Sequence, residues 1–287
     1  MSGLLTQQRR AFHTQLVAER TLAIDDAGHA TNADASQRFS RETALTIARE
    51  LGAVAGGKKL DGQRAGKQFE SAVHSFLVST LPALSALRPG QWWIENVGGS
   101  RGEYHLAKYE PYRHLDDLAR AIKADPTLAS VLGNSYEISP DVIVVRMPED
   151  DSVINQDQFV VDAESGGLSP IRSANQRHGI VHAVVSCKWT LRSDRAQNAR
   201  SEALNIIRNR KGRTPHIAVV TGEPSPSRLA SLALGTGDLD SVYHFALPEL
   251  IAATDASDND EAIQTLRTLV DGQRLRDIAD LPLDLAV

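Results

Sequence analysis

Four positions carry side chains that packing alone does not explain. Asp141 follows Pro140 and opens Val142-Ile-Val-Val-Arg146, a β-branched run that reads as a central strand. A carboxylate entering a buried strand is costly unless a cation or ligand meets it. Lys188 lies in a second run, from His182 to Leu191, rich in Val, Trp and Thr and free of Gly and Pro. Strand periodicity sets Ser186 and Lys188 on one face of that run and Cys187 on the other. Glu202 lies on the helix expected from about Arg195 to Asn209, whose apolar positions are Ala196, Ala199, Ala203, Leu204, Ile206 and Ile207. At about 100° per residue Glu202 falls about 20° from Arg195, so the two share one edge of the core face. Glu70 sits beside the apolar stripe Phe69, Val73, Phe76, Leu77 and Leu84 of a helix over 66–87, again an expensive place for a lone carboxylate. The alternative for Glu70 is a solvated helix edge.

The charge pattern around Lys188 points to the partner. Lys188, Arg192, Arg195, Arg200, Arg208, Arg210, Lys211 and Arg213 are basic and only Asp194 and Glu202 are acidic, in a chain of formal net charge −5. A concentrated basic patch on an acidic protein suggests a local polyanion site. Taken singly, Arg192, Asp194 and Arg195 could be a capped helix end with surface ion pairs, and Lys188 could snorkel from a strand end.

The elements that must hold these residues alternate along the chain. Helices are expected over 4–20, 41–51 and 66–87, a short strand over Trp92–Val97, and surface helices over 114–123 and 127–132. After the strand entered by Asp141 comes a polar stretch, 150–179, read as a long loop or irregular hairpin. Strands follow over His182–Leu191, His216–Thr221 and Val242–Ala246, with helices over 195–209, after Arg228, and over 248–254 and 260–270. Interleaved strands and helices give an α/β fold, a central mixed sheet with helices on both faces. The loop Gly52 to Lys59 misses the phosphate-loop pattern because Lys59 stands where Ser or Thr must bind magnesium, which sets aside a nucleoside triphosphatase.

Together these residues resemble a known family. Asp141 after Pro140, Ser186-Cys187-Lys188 on a strand, Arg192-x-Asp194-Arg195 and then Glu202 are similar to the PD-(D/E)XK type II restriction endonucleases that read CCGG. The likeness is nearly continuous from Ser186 to Arg213 and returns in the final Asp-Leu-Pro-Leu-Asp-Leu-Ala-Val. It implies a restriction-endonuclease-like core and a site-specific deoxyribonuclease. Hydrolysis of a phosphodiester needs an activated water, charge relief on the phosphate and help for the leaving oxygen, and Mg²⁺ supplies all three. The resemblance assigns catalysis to Asp141, Lys188, Glu202, Glu70 and Ser186. It assigns metal contacts to Asp141, Glu202, Glu70 and the backbone carbonyl of Cys187, with two Mg²⁺ per site. Ser186 stands where the usual motif has an acid; in this subgroup the acid has moved to the helix, at Glu202.

The resemblance also assigns base reading. Arg pairs bidentately with guanine and a carboxylate accepts from cytosine N4, so Arg192, Asp194 and Arg195 suit a CCGG half-site. Asp34, Ser36 and Gln63 match residues that read the flanking pair. This implies GCCGGC, cut after the first G to leave four-base 5′ overhangs. A palindrome requires a homodimer; the family precedent is a homotetramer of two dimers on two sites, accompanied in the cell by a cognate DNA methyltransferase.

The bulk numbers agree. The 287 residues, 41% hydrophobic, suffice for a sizeable core, and no composition shift divides 1–287, so one domain is expected. A single cysteine excludes an intrachain disulfide and fits a reducing cytoplasm. No apolar run approaches membrane-spanning length. Two other readings stay open here: a repair or junction-resolving nuclease on the same fold, and a catalytically silent DNA binder, suggested by Ser186.

Overall fold

The computed structural model describes residues 2–56, 60–97, 105–125, 127, 128, 130, 138, 140–191, 193–235 and 237–287, with backbone alone at 193–195. Six strands form one mixed sheet in sequential order: β1 (Trp92–Asn96), β2 (Val142–Arg146), β3 (Ile180–Lys188), β4 (His216–Thr221), β5 (Ser241–His244) and β6 (Leu275–Asp277). β1, β2 and β3 pair antiparallel, and β3 to β6 run parallel. The runs of Val and Ile in β2, β3 and β4 are buried along nearly their whole length, as central strands covered by helices require.

The helices are α1 (Leu4–Ala18), α2 (Arg38–Glu50), α3 (Gly62–Thr80), α4 (His114–Ala124), α5 (Asp151–Ile154), α6 (Ser193–Asn209), α7 (Pro226–Ala233), α8 (Leu247–Asp255), α9 (Asp260–Asp271) and α10 (Leu281–Leu285). They flank the sheet; α3 packs across β1, β2 and β3, with α1 against it. Phe69 of α3 meets Trp189 just beyond β3, ring centroids 5.0 Å apart, and Trp189 meets Phe245 beyond β5 at 5.3 Å. These rings seal the core beneath the ends of β3 and β4. At the other flank, α1 is tied by Arg9, whose guanidinium donates to Glu249 of α8 and Asp277 of β6 at 2.8 Å each.

Several expected boundaries move for identifiable reasons. α3 stops at Thr80, where Pro82 lacks the N–H that would continue the ladder, and a 3-10 turn, Leu81–Leu84, takes over. α3 also starts earlier than expected, at Gly62, because the carboxylate of Asp61 accepts from the amides of Gln63 and Arg64 at 3.1 and 2.9 Å. β3 begins two residues before His182 and leaves the sheet after Lys188. β6 and α10 are additional elements that the periodicity does not reveal. Half of the expected helix at 127–132, residues 129, 131 and 132, lies outside the described residues, as do Gly57 to Lys59. No described helix is long and apolar enough to cross a membrane.

Candidate active site

β2 and β3 are neighbours whose register pairs Val142 with Val185, which carries Asp141 to the end of β3 where Ser186, Cys187 and Lys188 emerge. There one carboxylate oxygen, Asp141 Oδ2, accepts from the Cys187 amide at 2.6 Å and from Lys188 Nζ at 3.1 Å. The costly Asp at the strand entry is thus matched by a main-chain donor and a cation. Ser186 Oγ lies 3.5 Å from Asp141 Oδ2 and 3.4 Å from Glu202 Oε2. Its one proton can serve only one carboxylate at a time. Ser186 therefore stands between two acids, one at the start of β2 and one from α6.

The electrostatics of the cluster follow from crowding. Glu202 is pushed up to about 7, chiefly by burial, with Asp141 adding to the rise and Lys188 opposing it. Glu70, delivered beside Phe69 by α3, is likewise pushed up to about 7 by burial and by Asp141, against Lys188 and Lys67. Burial works against the Lys188 ammonium, yet Asp141 and Glu202 outweigh it and hold the pKa above the ordinary lysine value. Cys187 points away, its thiol buried and its pKa driven well up by that burial.

Such a set favours a cation. Two of the acids gain protonation or a positive partner at neutral pH, and the single lysine is already shared. Among the described residues no three His, Cys, Asp or Glu side chains converge tightly enough to hold a metal by themselves. Asp141 and Glu202, joined through Ser186, are the pair that does converge, and Mg²⁺ asks for no more than one or two carboxylates beside water and phosphate oxygens. The donor set fits. Glu70 is coupled by charge to Asp141 and Lys188.

The DNA-facing assignments separate into two groups. Arg192 lies outside the described residues, and so do the side chains of Asp194 and Arg195, whose backbone opens α6. Asp34 and Ser36 are held in a tight local turn: Asp34 Oδ1 accepts from Ser36 N at 2.9 Å and Ser36 Oγ at 2.7 Å, and Oδ2 is ion-paired with Arg228. The Ser36 hydroxyl and amide, with Arg228, draw the Asp34 pKa down to about 2. Gln63 is exposed on the first turn of α3. A cleft of about 410 Å³ joins these segments, lined by residues 31–36, Gly62, Ala65, Trp189, Thr190 and Arg228. A second opening of about 570 Å³ shares Asp34, Ser36 and Arg228 and continues to Leu191 and Ala196.

Two residues of this region escape sequence reading. The segment 222–228 reads as a loop leading into a helix, but Pro226 already starts α7, so Arg228 lies on the helix and faces Asp34. Glu223 is buried at the end of β4, with one oxygen accepting from the Leu191 amide at 2.8 Å. The signal that singles out Asp141, a carboxylate at the end of a buried strand, applies equally to Glu223.

Comparison with known proteins identifies the family. The NgoMIV restriction enzyme family matches residues 12–287. The type II restriction enzyme NgoMIV of Neisseria gonorrhoeae is 46% identical over 287 residues, covering 100% of both chains. Among solved structures, a complex of restriction endonuclease PspGI with substrate DNA aligns at 12% identity and TM-score 0.26, over 99% of this chain and 92% of that one, a superposition too loose to add to the assignment. A family match over nearly the whole chain and 46% identity along its full length place this chain in the NgoMIV restriction enzyme family, as a type II site-specific deoxyribonuclease.

Proposed function

We propose that the protein hydrolyses double-stranded DNA at GCCGGC, after the first G, in a reaction that depends on Mg²⁺. The observation that carries this reading is the pair Asp141 and Glu202, bridged by Ser186 beside Lys188, in a chain 46% identical to NgoMIV. Asp141, Glu202 and the Cys187 carbonyl would hold the metal, with Glu70 completing the negative field of a two-metal site. Bound there, Mg²⁺ supplies an acidified water and relieves charge on the phosphate. Lys188, kept protonated by its carboxylate neighbours, orients the attacking water and neutralises developing charge beside the scissile phosphate. Ser186 Oγ steers Asp141 and Glu202 toward one point between them.

Recognition is assigned to the 192–195 segment and to the segments that carry Asp34, Ser36 and Gln63. Arg192 and Arg195 each take a guanine and Asp194 accepts from the cytosines; Asp34, Ser36 and Gln63 take the flanking pair. Two copies read the palindrome as a homodimer, and two dimers form a tetramer on two sites, in a cytoplasm where a cognate methyltransferase protects the host sequence. The test is a digest of a fully sequenced plasmid with purified protein and Mg²⁺, followed by sequencing of the ends. Cuts confined to GCCGGC with four-base 5′ overhangs are expected. Cuts at other CCGG sites would overturn the assignment of Asp34, Ser36 and Gln63, and binding without cutting would overturn the catalytic reading.

A further inference from the structure

We infer that Glu223 is a positioning residue for sequence discrimination, fixing the root of the 192–195 segment relative to the catalytic strand; the inference rests on that segment reading bases. The turn Thr221 to Glu223 closes β4 and touches each functional segment in turn. Thr221 Oγ1 and the Gly222 amide donate to the Lys188 carbonyl at 2.7 and 3.2 Å, immediately behind the catalytic ammonium. The Gly222 carbonyl accepts from Asn32 Nδ2 at 2.7 Å, and Asn32 is buried at the base of the loop carrying Asp34 and Ser36. Glu223, its side chain 1% exposed, accepts from the Leu191 amide at 2.8 Å through Oε2 and from the Ser225 amide at 3.1 Å through Oε1. Leu191 is the residue before Arg192.

The other half of Leu191 is held as well. Arg228 Nη1 lies 3.7 Å from Glu223 Oε2 and donates to the Leu191 carbonyl at 3.1 Å, while Nη2 is paired with Asp34. Both polar groups of Leu191 are thus engaged by one acid and the arginine it neutralises, and its side chain is buried. A carboxylate taken out of water needs strong donors, and here they are main-chain groups of Leu191 and Ser225 together with Arg228. Gly222 lacks a Cβ because one would lie 2.6 Å from the Trp189 ring and 2.8 Å from its carbonyl, so the turn sits directly on the segment joining Lys188 to Leu191. A displacement of Glu223 moves Leu191, the residue from which that segment continues, without removing any group that touches the scissile phosphate.

The test is Glu223→Gln. The amide keeps one acceptor and turns an N–H₂ against either the Leu191 or the Ser225 amide. Steady-state cleavage is measured on GCCGGC duplexes and on duplexes with one changed pair in the central four, alongside Tm. Loss of one bidentate base contact through a displaced reading segment lowers discrimination by a factor of about ten to a hundred. The expected result is a kcat/KM loss of at least about tenfold on the cognate duplex, carried mainly by KM, with a narrowing of the cognate to non-cognate ratio by a similar factor. A lowered Tm with an unchanged ratio would overturn the inference, leaving Glu223 a structural residue. Glu223→Met, which fills the same volume without a charge, carries the same expectation and replaces the glutamine if that variant does not fold. Failure of the wild-type protein to prefer GCCGGC would instead overturn the underlying reading, and that arm is read separately.

Discussion

Replacing Glu202 with Gln should make the metal-free protein more stable while abolishing cleavage. Folding raises the Glu202 carboxyl from the ordinary 4.5 to about 7, chiefly by burial. A group with a raised folded pKa costs nothing below pH 4.5, where both states are protonated. The cost grows between pH 4.5 and 7 and is full above that. At 1.36 kcal/mol per pKa unit the full cost is about 3 kcal/mol before discount. Part of the side chain still meets water, which screens the charge, and the Gln amide brings a donor whose lack of a partner costs about 1 kcal/mol. The net gain at pH 8 is then about 1 to 2 kcal/mol, or a Tm rise of about 2 to 3 °C for a chain of this size. The assay is thermal unfolding of both proteins in EDTA at pH 5 and pH 8, with a cleavage assay at pH 8. The advantage should vanish at pH 5, and added Mg²⁺ should stabilise the wild type more than the variant. A variant no more stable than wild type at pH 8, or an advantage independent of pH, would refute the reasoning.

Three other outcomes are expected. Lys188→Ala should abolish Mg²⁺-dependent cleavage yet leave site-specific binding measurable by gel shift in Ca²⁺; loss of binding would make Lys188 a structural residue. Arg9→Ala strands the carboxylates of Glu249 and Asp277, which are 12% exposed, and should cost about 3 to 5 kcal/mol by denaturant unfolding, with a change below about 1 kcal/mol contradicting it. Gly222→Ala forces a methyl group into the Trp189 ring and should destabilise by about 1 to 3 kcal/mol; a neutral melt would show that the ring can withdraw.

The candidate cluster was legible where burial and charge disagreed in the sequence. Asp141 at the mouth of a β-branched run and Glu202 at the edge of an apolar helix face both announced a partner, and they meet through Ser186. Strand periodicity placed Ser186 and Lys188 together for the same reason. Arg228 and Glu223 gave no periodic signal: one lies in a short helix started by Pro226, and the other acts on a main-chain amide 32 residues away. Contacts of that kind depend on parallel pairing of β3 with β4, which local pattern does not encode. β6 escaped because three residues are too few for an alternation, and it is held by its pairing with β5.

The chain's one cysteine is Cys187, buried between Ser186 and Lys188. Only the thiolate reacts readily with alkylating reagents, and burial suppresses both its formation and its access. The folded enzyme is therefore a silent background for thiol labelling. A cysteine introduced anywhere on the surface can carry a dye or spin label without removing a native one, so movement at a chosen position can be followed as DNA binds. The same silence makes slow alkylation of Cys187 a clock for the opening of the strand end that carries Lys188.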